Sequence, residues 1–403
     1  MAQKIQAPRG TFDVLPEEGA RRLRLEREAE ELFARAGYGY TETPVFESTE
    51  LFARGVGETT DIVQKEMFTF EDAGGRSVTL RPEATAAICR AYIEHGMHKL
   101  PQPVKLWTWG PFFRYEAPQA GRFRQFTQVD VEALGSAEPS LDADMILLLA
   151  DLLQRAGARE VRLRLSSLGT PETRREYSDE LREYLRAHED DLSEEVRSRM
   201  DANPLRAFDS DHPGTKKVME DAPRLIDRLA PDDAEHFERV RALLDAAGQE
   251  YEVDGTLVRG LDYYTRTVFE FESGVLGAQS ALGGGGRYDL LVEQLGGPST
   301  PAIGWAAGIE RILLATSEDD EGATTPTEVY VAGETGERAF VLARDLRARG
   351  IATELEQAGR SLKGQLTQAQ KRAAAVAIRT ADGWTVRRRG QEDNSGASLQ
   401  ELL

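Results

Sequence analysis

The chain has 403 residues, 40% hydrophobic and 30% charged, more than one hydrophobic core usually organises and too polar for extensive membrane burial. Its net charge of -19 excludes a generally basic protein that coats nucleic acid, while leaving room for a local basic patch. No apolar run reaches the roughly 20 residues that span a bilayer; MAQKIQAPRGTFDVLPEE carries no apolar secretion core, and the lone Cys89 can form no intrachain disulfide, so a cytoplasmic protein is expected.

Residues 17–36, EEGARRLRLEREAEELFARA, set Leu23, Leu25, Ala29, Leu32, Phe33 and Ala36 close to one helical stripe, which Gly37 ends. YGYTETPVF then alternates as a strand, and Pro44 assigns it to an edge or an end. MFTFEDAGGRSVTL predicts two short strands around a Gly-Gly turn, after which RPEATAAICRAYIEHG opens a helix. PVKLWTWGPFFRYE and RFRQFTQVDVEAL read as a long antiparallel hairpin joined through APQAG, followed by a helix over 143–156 and the strand VRLRLSS. This mixture predicts an α+β domain built on an antiparallel sheet, its first part spanning 1–170.

Residues 171–250 change character: charged segments at helical spacing, broken at ANP, DHPG and DAP, predict a helical insertion. Strand signals resume from Tyr251, and LVRGLDYYTRTVFEF, GGGGRYDLLVEQLGG and TPAIGWAAGIERILLAT complete the sheet domain over 251–316. The polar stretch 317–328 reads as a linker. Beyond it, 329–403 alternates strand and helix and then closes on two strands, as a small α/β domain with a largely parallel sheet would.

RPEAT places Arg81, Glu83 and Thr85 at a strand-to-helix junction, and the hairpin loop adds Arg114, Glu116, Gln119 and Arg122. Arg124, Phe126, Gln128, Asp130 and Glu132 follow at even spacing, a polar row on a single sheet surface. Phosphate chemistry needs fixed cations, and arginine offers a planar fork matched to phosphate oxygens; Arg114, Arg259 and Arg311 supply three in separate strand or strand-to-helix contexts. Carboxylates such as Glu83 can grip an ammonium group or help hold magnesium. Arg259, Asp262, Tyr263 and Tyr264 lead into a strand where burial is costly unless every donor and acceptor is satisfied, and ligand groups can satisfy them. There is no GxxxxGK[ST] loop, no GxGxxG arrangement and no zinc spacing, and glycines 283–286 read as a tight turn or a close approach of backbone to ligand.

LVRGLDYYTRTVFEF and GGGGRYDLLVEQLGG resemble the two signature segments of the histidyl-tRNA synthetase family. FRYEAPQAGRFRQFTQ is similar to its class II motif 2, GIERILL to motif 3 and GYTETPVFESTELF to motif 1, which in that family helps form the dimer interface. The resemblance runs from PRGTFDVLP through the linker, and the C-terminal segment resembles the family's anticodon-binding domain. It implies a class II synthetase-type antiparallel sheet and, as partners, L-histidine, ATP with Mg2+, and tRNA(His), acted on in two steps by a homodimer. By match to the family's motifs, Arg259 takes the catalytic position. Arg114 meets the α-phosphate and Arg311 the distal phosphates, with Arg122 and Glu116 also toward ATP. Glu83, Thr85 and Gln128 hold the amino-acid end of histidine. Glu132 and Tyr264 pair with the imidazole, with Tyr263 and Tyr288 as second contributors, while Arg287 and Asp289 are read as structural.

Glu116 is followed by Ala117, Pro118 and Gln119 where many bacterial members carry Arg-Pro-Gln, which leaves Gln119 as the candidate reader of the tRNA acceptor end. Lys363, Lys371, Arg372, Arg379, Arg387, Arg388 and Arg389 face a single acid, Asp382, within 361–389, as a phosphate-contacting surface requires; Lys371, Arg372, Arg387, Arg388 and Arg389 are the tRNA candidates. Only eight of the fifty basic residues are lysine, against 69 carboxylates, which fits either a surface suited to high intracellular salt or a nucleotide-composition bias. A regulatory paralogue of histidine biosynthesis shares this fold, but usually lacks the C-terminal domain and has a degraded first signature segment; this chain keeps both.

Overall fold

A computed structural model describes residues 5–57, 60–257, 261, 263–317, 327–334, 336–380, 382–388 and 391–402. The chain divides into two compact units, 1–14 with 22–320 and 15–21 with 321–403. Strands of the first unit are β1 (Gly39–Tyr40), β2 (Phe46–Ser48), β3 (Thr69–Glu71), β4 (Ser77–Leu80), β5 (Val104–Phe113), β6 (Gln125–Leu134), β7 (Val161–Ser167), β8 (Glu252–Val253), β9 (Thr265–Ser273), β10 (Ala281–Arg287) and β11 (Ala302–Gly308). The helices as far as residue 317 are α1 (Pro16–Arg35), α2 (Thr49–Val56), α3 (Thr85–Glu94), α4 (Pro139–Arg155), α5 (Pro171–Ala187), α6 (Glu194–Arg199), α7 (Pro213–Glu220), α8 (Pro231–Ala247), α9 (Leu291–Gln294) and α10 (Ile309–Ala315).

Eight strands form one sheet in the order β1-β5-β6-β11-β10-β9-β7-β8. Its interior pairings are antiparallel, and only the edge strands β1 and β8 pair in parallel. The long hairpin runs in unbroken register from Val104 opposite Leu134 to Phe113 opposite Gln125. YGYTETPVF, by contrast, is not one strand: β1 joins the large sheet, whereas β2 joins β4 and β3 in a separate three-stranded sheet, with Pro44 in the connection. Glycines 283–286 make no turn; they lie within β10, between β9 and β11.

Alternation gives the large sheet two unlike faces. Trp107, Val129, Val131, Ala133, Leu163, Leu165, Phe269, Phe271, Ile303 and Trp305 pack with Phe33 of α1, Ile146 and Leu149 of α4, Val240 of α8 and Ile312 of α10 in one apolar cluster. The opposite face carries the polar row of β6. There the registers set Glu132 beside Gly304 and Asp130 beside Ala306, with Gly284 beyond Ala306, so small residues leave a trough along the middle strands. A Cβ on Gly304 would overlap the Glu132 carboxylate, and one on Gly285 would overlap the neighbouring strand at Gly304 and Trp305. Among the described residues no strand interrupts the run from α5 to α8; α5 shares a second apolar cluster with α3, through Leu181 and Leu185 with Ile88 and Tyr92.

In the second unit, β12 (Thr327–Ala332), β13 (Thr353–Leu355), β14 (Ala373–Thr380), β15 (Gly383–Arg388) and β16 (Asn394–Gly396) are ordered β13-β12-β14-β15-β16. The first three are parallel, but β14-β15 and β15-β16 are antiparallel, so the sheet is mixed and not largely parallel. Leu346 of α11 (Glu337–Ala348) and Leu399 of α13 (Leu399–Leu402) pack on one face, and Ala369 of α12 (Leu362–Arg372) on the other. α12 starts earlier than LTQAQKRAAA predicts because the Ser361 hydroxyl caps it at the Gly364 amide, and its alanine tail becomes β14.

Candidate active site

The polar face of the large sheet floors a cleft of about 660 Å³, lined among others by Glu83, Thr85, Arg114, Glu116, Arg122, Gln128, Asp130, Tyr263, Tyr264, Tyr288 and Arg311. Residues as far apart in sequence as Ile62 and Arg311 thus meet on one surface, and the volume suits a ligand of roughly nucleotide size.

One end is built around Glu132, which is fully buried. Thr85 Oγ1 donates to its Oε1 at 2.6 Å, and the Tyr288 hydroxyl donates to Oε2. Burial raises its carboxyl pKa to about 8, although both hydroxyl bonds pull the other way. Tyr263 packs edge-on against Tyr264 and Tyr288, with ring centroids 4.8 and 5.6 Å away. The direct phenol partner of Glu132 is Tyr288. Glu83 sits at the start of α3, where its carboxylate accepts from the Thr85 amide at 2.7 Å and the Ala86 amide at 3.0 Å, two donors a helix N-terminus leaves unmatched. Burial nonetheless raises its pKa.

The other end is cationic. Arg114 Nε donates to the Pro82 carbonyl at 2.9 Å, and its guanidinium lies 5.3 Å from the Phe126 ring centroid. Arg311, at the start of α10, donates from Nε to the Gly121 carbonyl at 3.0 Å and from Nη1 to the Ala281 carbonyl at 2.9 Å, tying the hairpin loop to β10. Within that loop Arg122 is ion-paired with Glu116 at 2.8 Å, and Gln119 and Arg122 exchange backbone hydrogen bonds. Arg81 is not a ligand group here: it is buried, donates to the Pro111 and Thr43 carbonyls and lies over Phe112. Val258, Arg259, Gly260 and Asp262 lie outside the described residues, as does Arg389; Leu261 and Tyr263, on either side of Asp262, line the cleft.

Arg287 points away from the cleft chemistry. It is buried against Asp142 of α4 in a two-pronged pair, with bonds to the Ser136 and Glu138 carbonyls at 2.9 and 3.0 Å. His236 of α8 completes the group 3.2 Å from Asp142. Asp289 accepts from the Ala302 amide at 3.1 Å.

Sequence reasoning passed over Glu270 and Glu272 of β9, which also line the cleft; Arg164 lies 2.9 Å from Glu272. Both follow Tyr264 at even spacing, opposite in parity to Phe269 and Phe271 of the apolar cluster, although Arg266 adopts a left-handed backbone (φ 47°) and the pairing with β10 shifts register. Among the described residues no three His, Cys, Asp or Glu side chains gather as a metal cluster.

In the second unit Arg372 is paired with Glu354 at 3.1 Å, Arg387 with Asp393 at 2.8 Å, and Arg388 donates to the Leu402 carbonyl at 3.1 Å, while Lys371 is exposed. Two of the expected phosphate-facing arginines thus already face acids.

Residues 10–312 match the family model described as histidyl-tRNA synthetase. A histidine–tRNA ligase of Desulforamulus reducens is 49% identical over 371 residues, covering 90% of this chain and 88% of that protein. One of Halorhodospira halophila is 50% identical over 385 residues, covering 93% and 89%. The crystal structure of apo S. aureus histidyl-tRNA synthetase superposes with a TM-score of 0.81 at 34% identity, covering 99% of this chain and 98% of that one. The sheet flanked by helices is thus the class II synthetase architecture, and the chain belongs to the histidyl-tRNA synthetase family.

Proposed function

We propose that this chain is a histidine–tRNA ligase. It joins L-histidine to ATP as histidyl-adenylate, releasing pyrophosphate, and passes the histidyl group to the 3′ end of tRNA(His), releasing AMP. The observation that carries the reading is a buried carboxylate, Glu132, bonded to Thr85 and Tyr288, two residues that line the same cleft as Arg114 and Arg311.

Neutral imidazole presents one donor and one acceptor. Glu132 accepts from its N–H and the Tyr264 hydroxyl serves its bare nitrogen, with Tyr263 and Tyr288, whose proton is given to Glu132, behind them, so a side chain lacking either group leaves buried polar atoms unmatched. Activation brings the histidine carboxylate against the α-phosphate, two anions whose repulsion fixed guanidinium groups offset without reorganising. Arg114 and Arg259 take that role, Arg311 takes the distal phosphates, and Arg122 with Glu116 borders the nucleotide. ATP enters as its magnesium complex, the ion held chiefly by phosphate oxygens, as is usual for this cation.

Residues 1–170 and 251–316 serve as the catalytic domain, 171–250 as its insertion, 317–328 as linker and 329–403 as the anticodon-binding domain. Gln119 contacts the acceptor end, and Lys371, Arg372, Arg387, Arg388 and Arg389 the anticodon region. A homodimer is supported by exposed Tyr40, Phe46 and Phe70 around motif 1, with Phe46 and Phe70 6.5 Å apart. A cytoplasmic setting follows from substrates that reside there. Incorporation of labelled histidine into a tRNA(His) transcript tests the reading: wild type charges it and Arg259→Ala does not, whereas an uncharged transcript with wild type rejects it.

A further inference from the structure

The helical run from α5 to α8 leaves the large sheet after β7 and rejoins it at β8. Its packing reaches further than those two joints: Tyr177 and Leu181 of α5 and Val218 of α7 share one apolar cluster with Tyr263, Tyr264 and Tyr288 of the cleft. The polar ties are more specific. Arg174 of α5 donates from Nη2 to the Tyr264 carbonyl. Two residues on, Arg266 holds a left-handed backbone, φ 47°, which a residue with a Cβ keeps only where its surroundings enforce it. Its amide donates to the Gly169 carbonyl at 2.8 Å, its carbonyl accepts from the Leu168 amide at 2.7 Å, and its Nε donates to Asp233 Oδ1 at 2.9 Å. Asp233, in the first turn of α8, is only 1% exposed, and its Oδ2 accepts from the Thr170 amide at 2.8 Å and the Thr173 hydroxyl at 3.3 Å. One buried carboxylate thus joins both end helices of the insertion to the residue two places after Tyr264.

Resting on the histidine-ligase reading, we propose that the insertion belongs to the apparatus that selects histidine: Arg174 and Asp233 are positioning residues that fix the backbone from Tyr264 to Arg266, and with it the direction in which the Tyr264 hydroxyl meets the imidazole. The strand ladder does not fix this segment alone, because the pairing of β9 with β10 shifts register here, between Gly286 and Arg287. A phenol at the end of a long side chain magnifies a small backbone rotation, and a hydrogen bond to a ring nitrogen tolerates little of it. The nucleotide end is insulated from these ties, since Arg114 and Arg311 bond to the Pro82, Gly121 and Ala281 carbonyls, all outside the insertion.

The test is pyrophosphate exchange with histidine, in which KM is measured separately for histidine and for ATP, on wild type, Arg174→Met, Arg174→Lys, Asp233→Asn and Tyr184→Phe. Arg174→Met and Asp233→Asn raise the histidine KM roughly tenfold and leave the ATP KM unchanged, and Arg174→Lys, which keeps a donor for the Tyr264 carbonyl, recovers most of the loss. Tyr184→Phe is the structural control: it removes a bond to the Val218 carbonyl inside the insertion, so it lowers the melting temperature and moves neither KM. Arg174 is only half-buried, so Arg174→Met decides by itself if Asp233→Asn folds poorly. An unchanged histidine KM in Arg174→Met, a parallel rise for histidine and ATP, or a fall in kcat alone would each overturn the assignment while wild type still exchanges with histidine. No exchange by wild type would overturn the ligase reading, and this one with it.

Discussion

At Glu132 the cost of burying a carboxylate is visible as a pKa raised to about 8 from the ordinary 4.5. Such a group binds a proton more tightly folded than unfolded. Its stabilising contribution is complete below about pH 4.5 and is lost as pH climbs to about 8. Unliganded Glu132→Gln therefore shows a flatter fall of melting temperature between those limits than wild type; parallel curves would contradict the assignment. The acidic row itself was legible, since even spacing on one strand needs only the strand to be right. What escaped was Gly304, whose missing Cβ makes room for the Glu132 carboxylate from a strand 172 residues later. Nothing local distinguishes that glycine from a turn former.

Between elements, the tie that matters is the buried group Arg287, Asp142 and His236, which joins β10 to α4 and α8. Asp142 is fully buried on the apolar stripe of α4, in register with Met145, Ile146 and Leu149, where an acid is costly unless it is paired. Its partners come from 94 and 145 residues further along, beyond the reach of any local pattern. Asp142→Ala strands the Arg287 guanidinium in the interior, and denaturant unfolding is expected to show a loss of about 3–5 kcal/mol. Replacing the pair together, Arg287→Met with Asp142→Leu, recovers most of it. A loss below about 1 kcal/mol in the single variant would mean that the pair contributes little. The C-terminal hairpin was more nearly readable: Asp382-Gly383 between two strand runs is a hairpin signal. The basic count there was misleading because Glu354 and Asp393 fall outside the segment counted.

For the whole molecule, 69 carboxylates against 50 basic residues create a self-repulsion that ions screen. If the surface is suited to high salt, the melting temperature rises steeply as KCl goes from low to molar concentration; a flat curve assigns the composition to codon bias. The helical run from α5 to α8 and the return of strands after it were legible from changes in composition and period. Pairing of β1 and β2 into different sheets was not, since both strands are too short to carry a pattern of their own.

Pyrophosphate exchange into ATP, measured with each of the twenty amino acids in turn, tests the central claim most directly. Wild type is predicted to exchange with histidine alone, and Glu132→Gln to require at least about tenfold more histidine with an unchanged need for ATP. Exchange with another amino acid at a comparable rate, or none with histidine, would contradict it.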